Sequence, residues 1–588
     1  MLELAGVQPD DPLIDGWRAR VNRARHRLGW AVSSSLADST DVRPAAQEVV
    51  ARFHASGVSL ALAAPCDQLF TATEVNEWAL SAALVERDPL HWASLEAALV
   101  EAANAIPDNP GAAVPPVIEE SAAMARFERL ADLEARPELR ALIDSADARG
   151  LAHLLDESVL TLGTGAGGRS FALAELPFVT DVSWPALRNV PIALVTGSNG
   201  KTTTVRFVAA CARAHGWRPG FNCTDGVFID GETVDTGDYS GPLGARLVLR
   251  DPRVEAAAIE TARGGILRRG IAVNRVRAAI VTNVSSDHFG EYGIHDLGGL
   301  ADTKLSVAGA VEPGGTLVLN ADDPLLRSRA PGLAQRYGRA PHIAWFALDA
   351  GNELLAAHRT AGGVTCGVRD GRLVLHAGGA EHDLGAVASM PLTVEGSATY
   401  NVANVAGAAL VAWALGVAPA TIASVAATFG ARAADNAGRM MRYEVRGVRV
   451  LVDYAHNPEG IRGLLQVARH LRREGGRLGM ILGHAGNRQD ADIRALARAA
   501  AEFRPDLVVV KEDESYLRGR APGEIPRLIR EELLGHGLPD SALPLRSSEI
   551  EGVRAALDWS RPGDVLALPV HSTAARAATL DLLESLQR

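Results

Sequence analysis

The sequence predicts an α/β protein in three parts: a central α/β domain over residues 186–433, a C-terminal Rossmann-like α/β domain over 434–588, and a mostly helical or α+β N-terminal region over 1–185. Three observations predict this. The chain has 588 residues, too many for one hydrophobic core. From Pro191 onward, apolar β-branched runs alternate with helical stretches: IALVTG, TTTVRFVAACARAHG, AAAIET, AAIVTNV and TLVLNADD. That is the rhythm of a parallel sheet with helices on both faces. A second alternation begins near Gly438, with the strand-like runs VRVLVDYA, LGMILG, DLVVVKED and DVLALPV separated by helical stretches.

The N-terminal region is rich in Ala, Arg and Glu. In ATEVNEWALSAALVERDPLHWASLEAALVEAANAI, apolar residues recur three and four apart, as in an amphipathic helix pair. The Pro and Gly of DNPGAAVPPV, Asp108 to Val117, mark a loop or hinge. Gly163-x-Gly165-x-x-Gly168 follows a strand-like run and matches a dinucleotide-binding spacing, but Pro177 and Pro185 interrupt the helix such a site needs. It is read as a glycine-rich turn.

Composition narrows the classes. Hydrophobic residues make up 47% of the chain, which excludes a largely disordered protein. A net charge of -11 argues against a nucleic-acid surface. Cys66, Cys211, Cys223 and Cys366 are scattered without C-x-x-C spacing, so neither a zinc site nor a disulfide framework is expected. The N-terminus lacks a basic-then-apolar leader, and no apolar run reaches the roughly 18–20 residues of a membrane helix. A soluble cytoplasmic protein is expected, with homo-oligomers left open.

The strongest motif is VTGSNGKTTT, Val195 to Thr204. An apolar strand runs into a Gly-rich turn and then a helix. Gly197, Ser198, Asn199 and Gly200 let backbone N–H groups wrap a triphosphate. Lys201 reaches its outer phosphates, and the hydroxyls of Thr202 and Thr203 follow, with Thr202 suited to Mg²⁺. The spacing, Gly197-x-x-Gly200-Lys-Thr, is shorter than the usual P-loop. ATP and Mg²⁺ are the expected cofactors. An acidic protein must then build local positive potential from a few Lys, Arg and metal ions.

The T-G-S-N-G-K-T-T form resembles the phosphate loop of the Mur ligases and of folylpolyglutamate synthetase. Other motifs follow in the same order: Ala258-Ile-Glu260 ending a strand, Asp287-His288 in VTNVSSDHFG, Lys304 sixteen residues later, and Asn320 to Pro324 as NADDP. Gly438-Arg439-Met440 and VDYAHNP, Val452 to Pro458, then follow. The resemblance covers roughly residues 190–588. TDGVFIDG, GDYSGPLGAR, ETARGGILRRG and KEDESYLRGRAPGE resemble the C-terminal, Mur-like half of the cyanophycin synthetases. That half adds arginine to aspartate side chains of a polyaspartate backbone, and an ATP-grasp domain in the other half extends the backbone. With only about 185 residues before the phosphate loop, no ATP-grasp domain is expected here, although ELRALIDSADARGLAHLLDESVLTLGTGAGGR resembles the segment leading into one.

The resemblance implies a ligase that transfers the γ-phosphoryl of ATP to a carboxylate, which an amine then attacks. It implies Thr202 and Glu260 as ligands of one Mg²⁺, and His288 and Lys304 at a second, with Lys304 carbamylated so that it presents oxygen to a hard cation. It implies Asn320 at the adenine, Arg439 at the γ-phosphate, Asp453 at the ribose and His456 near the reacting centre. Lys201, His288, Lys304 and Arg439 are the catalytic candidates. Two positions depart from the Mur pattern: Tyr400-Asn401 stands where His-Asn is usual, and Gly486-Asn487-Arg488 where Gly-Asp-Arg is usual. Ligases that add diaminopimelate carry Asp-Asn-Pro-Arg where this chain has the acidic stretch Lys511–Arg520, which could bind a guanidinium or ammonium or be a solvated loop. The expected partners are a small-molecule or peptide carboxylate and an amino acid, with no nucleic acid and no membrane. Two alternatives stay open: a cell-wall ligase acting on a UDP-muramoyl peptide, and a nucleotide-binding partner that has lost ligation.

Overall fold

A computed structural model describes residues 2–8, 10–30, 49–54, 57–88, 119–286, 293–338, 341–512 and 517–587. Its centre is an eleven-stranded sheet. From Pro219–Cys223 through Ala256–Glu260, Ile192–Thr196, Val276–Val281, Val311–Asn320 and His342–Asp349 to Val364–Arg369, neighbouring strands are parallel. Antiparallel strands extend both edges. All five residues of Ile192–Thr196 are buried, which is why parallel strands read as unbroken apolar runs. The period of two sorts them between two cores. Ala193 and Val195 face the helices Lys201–Ala214 and Thr399–Leu415, while Ile192 and Leu194 face Pro242–Arg250 and Leu297–Leu305. Helix Thr399–Leu415 lies so close to the sheet that a Cβ on Gly407 would meet Ile280 Cδ1 at 2.7 Å.

The C-terminal sheet has six strands, ordered Met441–Val445, Val448–Asp453, Val565–Pro569, Leu478–Leu482, Leu507–Lys511, Leu545–Arg546. Only its first pair is antiparallel. Helices Pro458–Leu471, Asp490–Ala501 and Glu524–Gly535 cover one face, and Glu549–Trp559 and Thr573–Gln587 the other.

The N-terminal region is α+β. A three-stranded sheet, Leu2–Ala5, Gly57–Leu62 and Val49–His54, shares a core around Trp17, Trp78 and Phe127 with the helices Pro12–Arg27, Leu69–Arg87 and Glu120–Glu134. The first member of the expected helix pair is therefore Leu69–Arg87; its second member and the Asp108–Val117 hinge lie outside the described residues. A second small sheet, residues 153–172, docks on the central domain. Arg250 there ion-pairs with Asp156 and donates to Thr161 Oγ1 and the Val159 carbonyl, each at 3.1 Å. Gly165–Gly167 is a 3₁₀ turn, and a Cβ on Gly165 would meet the Val254 carbonyl at 2.3 Å. The glycines thus serve close packing.

The stretch LADTKLSVAGAV around Lys304 reads as helical in the sequence, but its helix stops at Leu305, continues as a 3₁₀ turn to Ala310 and becomes a strand at Val311. Gly309 there lies against Tyr337, where a Cβ would meet the ring at 3.2 Å.

Candidate active site

The phosphate loop leaves the middle of the central sheet and enters helix Lys201–Ala214. Gly197 (φ 148°) and Gly200 (φ 87°) take backbone angles that side chains disfavour. A Cβ on Gly197 would meet Thr282 Oγ1 at 1.8 Å, and one on Gly200 would meet Asn404 Oδ1 at 2.1 Å. Neighbouring strands and helices hold the loop open. Ser198 N donates to the Asn283 carbonyl at 3.0 Å, Asn199 N to Asn283 Oδ1 at 2.9 Å, and Ser198 Oγ to the Ser285 carbonyl at 2.9 Å. From the C-terminal domain, Asn457 Nδ2 donates to Asn199 Oδ1 at 2.9 Å. With the Ser198 and Asn199 amides taken by Asn283, the anion site the motif offers is the N-terminus of helix Lys201–Ala214.

Lys201 Nζ donates to its own loop, to the Gly197 and Ser198 carbonyls at 3.1 Å each. Thr202 Oγ1 donates to Glu260 Oε2 at 2.9 Å, and Thr224 Oγ1 to Oε1 at 3.3 Å. Glu260 ends its strand almost fully buried, and burial pushes its carboxyl up despite the pull of Lys201, the Thr202 hydrogen bond and Arg439. A buried carboxylate beside a phosphate-loop hydroxyl fits a hard cation. Among the described residues no three His, Cys, Asp or Glu converge on one point. Any ion here would complete its shell with hydroxyl, phosphate and water oxygens.

Two cavities meet at this point. One, about 260 Å³, is lined by the phosphate loop, Asn404, Arg439, Asp453 and His456. The other, about 500 Å³, opens toward Lys304, Arg263, Arg488 and His571. Lys201, Thr224, Glu260, Tyr454 and His456 line both. Among the described residues the larger cleft has seven Lys and Arg side chains against three carboxylates, Asp238, Glu260 and Glu549. An acidic chain thus concentrates its cations where an anionic substrate would enter.

The other predicted residues fall as follows. Lys304 is buried in the last turn of helix Leu297–Leu305 and lines the larger cleft with Lys201 and Glu260. His288 lies outside the described residues. Arg439 stacks on Tyr454, 4.3 Å from the ring centre, at the rim of the smaller cavity. Asp453 accepts from Met440 N at 2.7 Å, holding Met440 at φ 49° directly after Arg439. Burial pushes the Asp453 carboxyl up, against Arg439 and its backbone hydrogen bonds. Asn320 lines neither cavity: its Nδ2 donates to the Thr282 carbonyl at 3.0 Å, and its Oδ1 accepts from Asp322 N at 2.9 Å.

The departures from the family pattern also sit here. Tyr400 and Asn401 line the smaller cavity, with Tyr400 packed on Gly463. Asn487 and Arg488 line the larger one. Of the acidic stretch, Lys511 is buried, paired with Glu549, and donates to the Pro569 carbonyl at 2.7 Å. Glu512 accepts from Gly523 N at 2.8 Å and so braces a turn. Asp513 to Tyr516 lie outside the described residues. Sequence reasoning missed Thr224, Asn404, Glu549 and His571. Thr224 sits in the quoted TDGVFIDG, but the others carry no local signal, because folding brings them in from distant helices and strand ends.

The fold and site define a two-domain nucleotide-binding architecture closed around a phosphate loop. Residues 195–412 match the Mur ligase middle domain, and residues 438–568 match the Mur ligase glutamate ligase domain. The chain belongs to the Mur ligase family. It is 35% identical over 397 residues to a cyanophycin synthetase from a Nostoc species, covering 68% of this chain and 43% of that protein. It is 30% identical over 381 residues to a UDP-N-acetylmuramoyl-L-alanyl-D-glutamate--2,6-diaminopimelate ligase from Alkalilimnicola ehrlichii, covering 63% of this chain and 69% of that one. The chain thus spans less than half the length of the cyanophycin synthetases it matches. A structure of FolC from E. coli in complex with ADP superposes with a TM-score of 0.49 at 18% identity, covering 68% of this chain and 90% of that one. No helix among the described residues is long and apolar enough to cross a membrane.

Proposed function

We propose that the protein is an ATP-dependent ligase that joins a carboxylate, of an amino acid or peptide, to the amine of an amino acid, releasing ADP and phosphate. The observation that carries this reading is the junction of the two cavities at Lys201 and Glu260. A γ-phosphate bound in the smaller cavity would meet a carboxylate entering the larger one there. The carboxylate oxygen attacks the γ-phosphorus, and the bond to the ADP oxygen breaks. The amine then attacks the acyl carbon, phosphate leaves with that oxygen, and the nitrogen loses a proton.

In this reading Lys201 exchanges its loop carbonyls for the outer phosphate oxygens, and Arg439 presents its fork to the γ-phosphate. Thr202 and Glu260 would hold Mg²⁺, with Lys304 and His288 at a second ion; bound cations supply charge neutralisation as phosphate crowds the carboxylate. Asp453 is assigned to the ribose; Asn320, which lies outside both cavities, would meet the adenine edge only where the base extends past the smaller one. The reaction needs ATP, which fits a cytoplasmic setting. The relatives named as cyanophycin synthetases favour an amino-acid or peptide carboxylate over a UDP-muramoyl peptide. The test is phosphate release with ATP, Mg²⁺ and pools of amino acids and acidic peptides, followed by mass analysis. A product heavier by one amino acid, formed with ADP, is expected. Pyrophosphate release, or hydrolysis without any adduct across all pools, overturns the proposal.

A further inference from the structure

Asp225 follows the strand Pro219–Cys223 and gathers three arginines on one carboxylate. Arg206, on the phosphate-loop helix, donates Nη2 to Oδ2 at 2.8 Å. Arg576, on the last helix, donates Nη2 to Oδ1 at 2.5 Å. Arg439 Nη1 stands 3.8 Å from Oδ2, beyond hydrogen-bond distance. All four side chains are at most 13% exposed. Arg206 also donates to the Ala437 carbonyl at 2.7 Å, and Arg576 packs over Gly438, where a Cβ would meet its Cδ at 2.8 Å. The backbone entering Arg439 is thus clamped from both domains. Burial pushes the Asp225 carboxyl up, but the three guanidiniums outweigh it and hold the group below its usual range.

The three contacts are unequal. Arg206 and Arg576 each satisfy one oxygen directly, whereas Arg439 donates only to the Gly438 carbonyl beside it, at 3.2 Å, and is otherwise held by charge and by the face of Tyr454. Arg439 can therefore turn to an arriving phosphate without leaving Asp225 bare. We infer that Asp225 is the positioning residue for Arg439, holding its guanidinium at the rim of the nucleotide cavity, with Arg206 and Arg576 keeping the Asp225 oxygens occupied. This rests on the reading of Arg439 as a phosphate contact.

The test is calorimetric binding of ATP with Mg²⁺, which needs no second substrate. Arg439→Ala should weaken binding about ten- to a hundredfold, as loss of a charge-assisted contact does. Asp225→Asn should weaken it severalfold. Arg576→Gln should do the same although Arg576 lines neither cavity, because the freed oxygen of Asp225 then draws Arg439 away from the nucleotide. In an Arg439→Ala background neither change should weaken binding further. If Asp225→Asn fails to fold, for want of a counter-charge among three guanidiniums, the Arg576→Gln pair decides. Wild-type affinity in Arg576→Gln, or a loss that persists undiminished without Arg439, overturns the positioning role. Wild-type affinity in Arg439→Ala instead overturns the assignment of Arg439.

Discussion

Lys201 is a cation spent on its own loop until something more anionic arrives, since its two hydrogen bonds go to neighbouring backbone carbonyls. Lys201→Ala should therefore cut ATP turnover by about a hundred- to a thousandfold, the scale of losing one transition-state donor. The melting temperature, read by circular dichroism, should stay close to that of the wild type. Glu260 answers to pH. Its carboxyl is pushed up by burial, so protons compete with Mg²⁺ at the acid end. Mg²⁺ affinity in the presence of ATP should rise as pH increases through that raised value and then level off, and Glu260→Gln should flatten the profile. A steep profile surviving in the Gln variant would remove Glu260 from the metal site. Lys304 is buried and lines the larger cleft with both groups, and an uncarbamylated ammonium there would repel a cation. Lys304→Ala should lose most activity and regain part of it with acetate or formate. Lys304→Arg should stay inactive, and full activity in that variant would show that no carbamate forms. These residues were legible because each sits in or beside a short chemical motif. Asn404 and His571 were not, because their meaning arises only from the wall they complete across the fold.

At the scale of elements, the strands were read from the sequence because a parallel sheet covered on both faces is buried at every position and so reads as a nearly unbroken apolar run, as Ile192–Thr196 and Leu507–Lys511 do up to their polar last residues. The end of a helix is harder to read. Leu297–Leu305 gives way to a 3₁₀ turn where Tyr337, far along the chain, donates its hydroxyl to the Leu305 carbonyl at 3.2 Å, a contact no local residue announces. The turn between strand and helix at the phosphate loop gives a sharp test. Gly200 begins its helix with φ 87° and lies against the Asn404 amide. Gly200→Ala should cost about 1–3 kcal/mol in backbone strain alone and should abolish ATP binding, because relieving the clash moves Asn404 or the helix N-terminus. Ala at Gly216, where the φ is also positive but nothing lies within 4 Å, should leave ATP binding intact. Comparing the two by calorimetry separates strain from loss of the anion site.

At the scale of the whole molecule, the nucleotide cavity is walled by two domains with separate cores, one built on the eleven-stranded sheet and one on the six-stranded sheet. The N-terminal sheet and its helices keep a further core around Trp17, Trp78 and Phe127, of which no described residue lines that cavity. A chain of this kind is not expected to unfold in one step. A ligand that binds only the folded site stabilises what it touches by mass action, about 2.7 kcal/mol at a hundredfold excess over its dissociation constant. Scanning calorimetry with Mg²⁺ and a non-hydrolysable ATP analogue should therefore raise the transitions of the central and C-terminal domains together. The transition of the N-terminal core should stay where it was. Arg439 and Asp453 come from the C-terminal domain and Lys201 and Thr202 from the central one, so Lys201→Ala should erase both shifts at once. If the analogue moves the central transition alone, the C-terminal wall contributes no binding energy, and Arg439 and Asp453 lose their assigned contacts. If it moves the N-terminal transition as well, that core is coupled to the site through the docked sheet of residues 153–172, and Arg250→Ala, which cuts that sheet's anchor, should uncouple it.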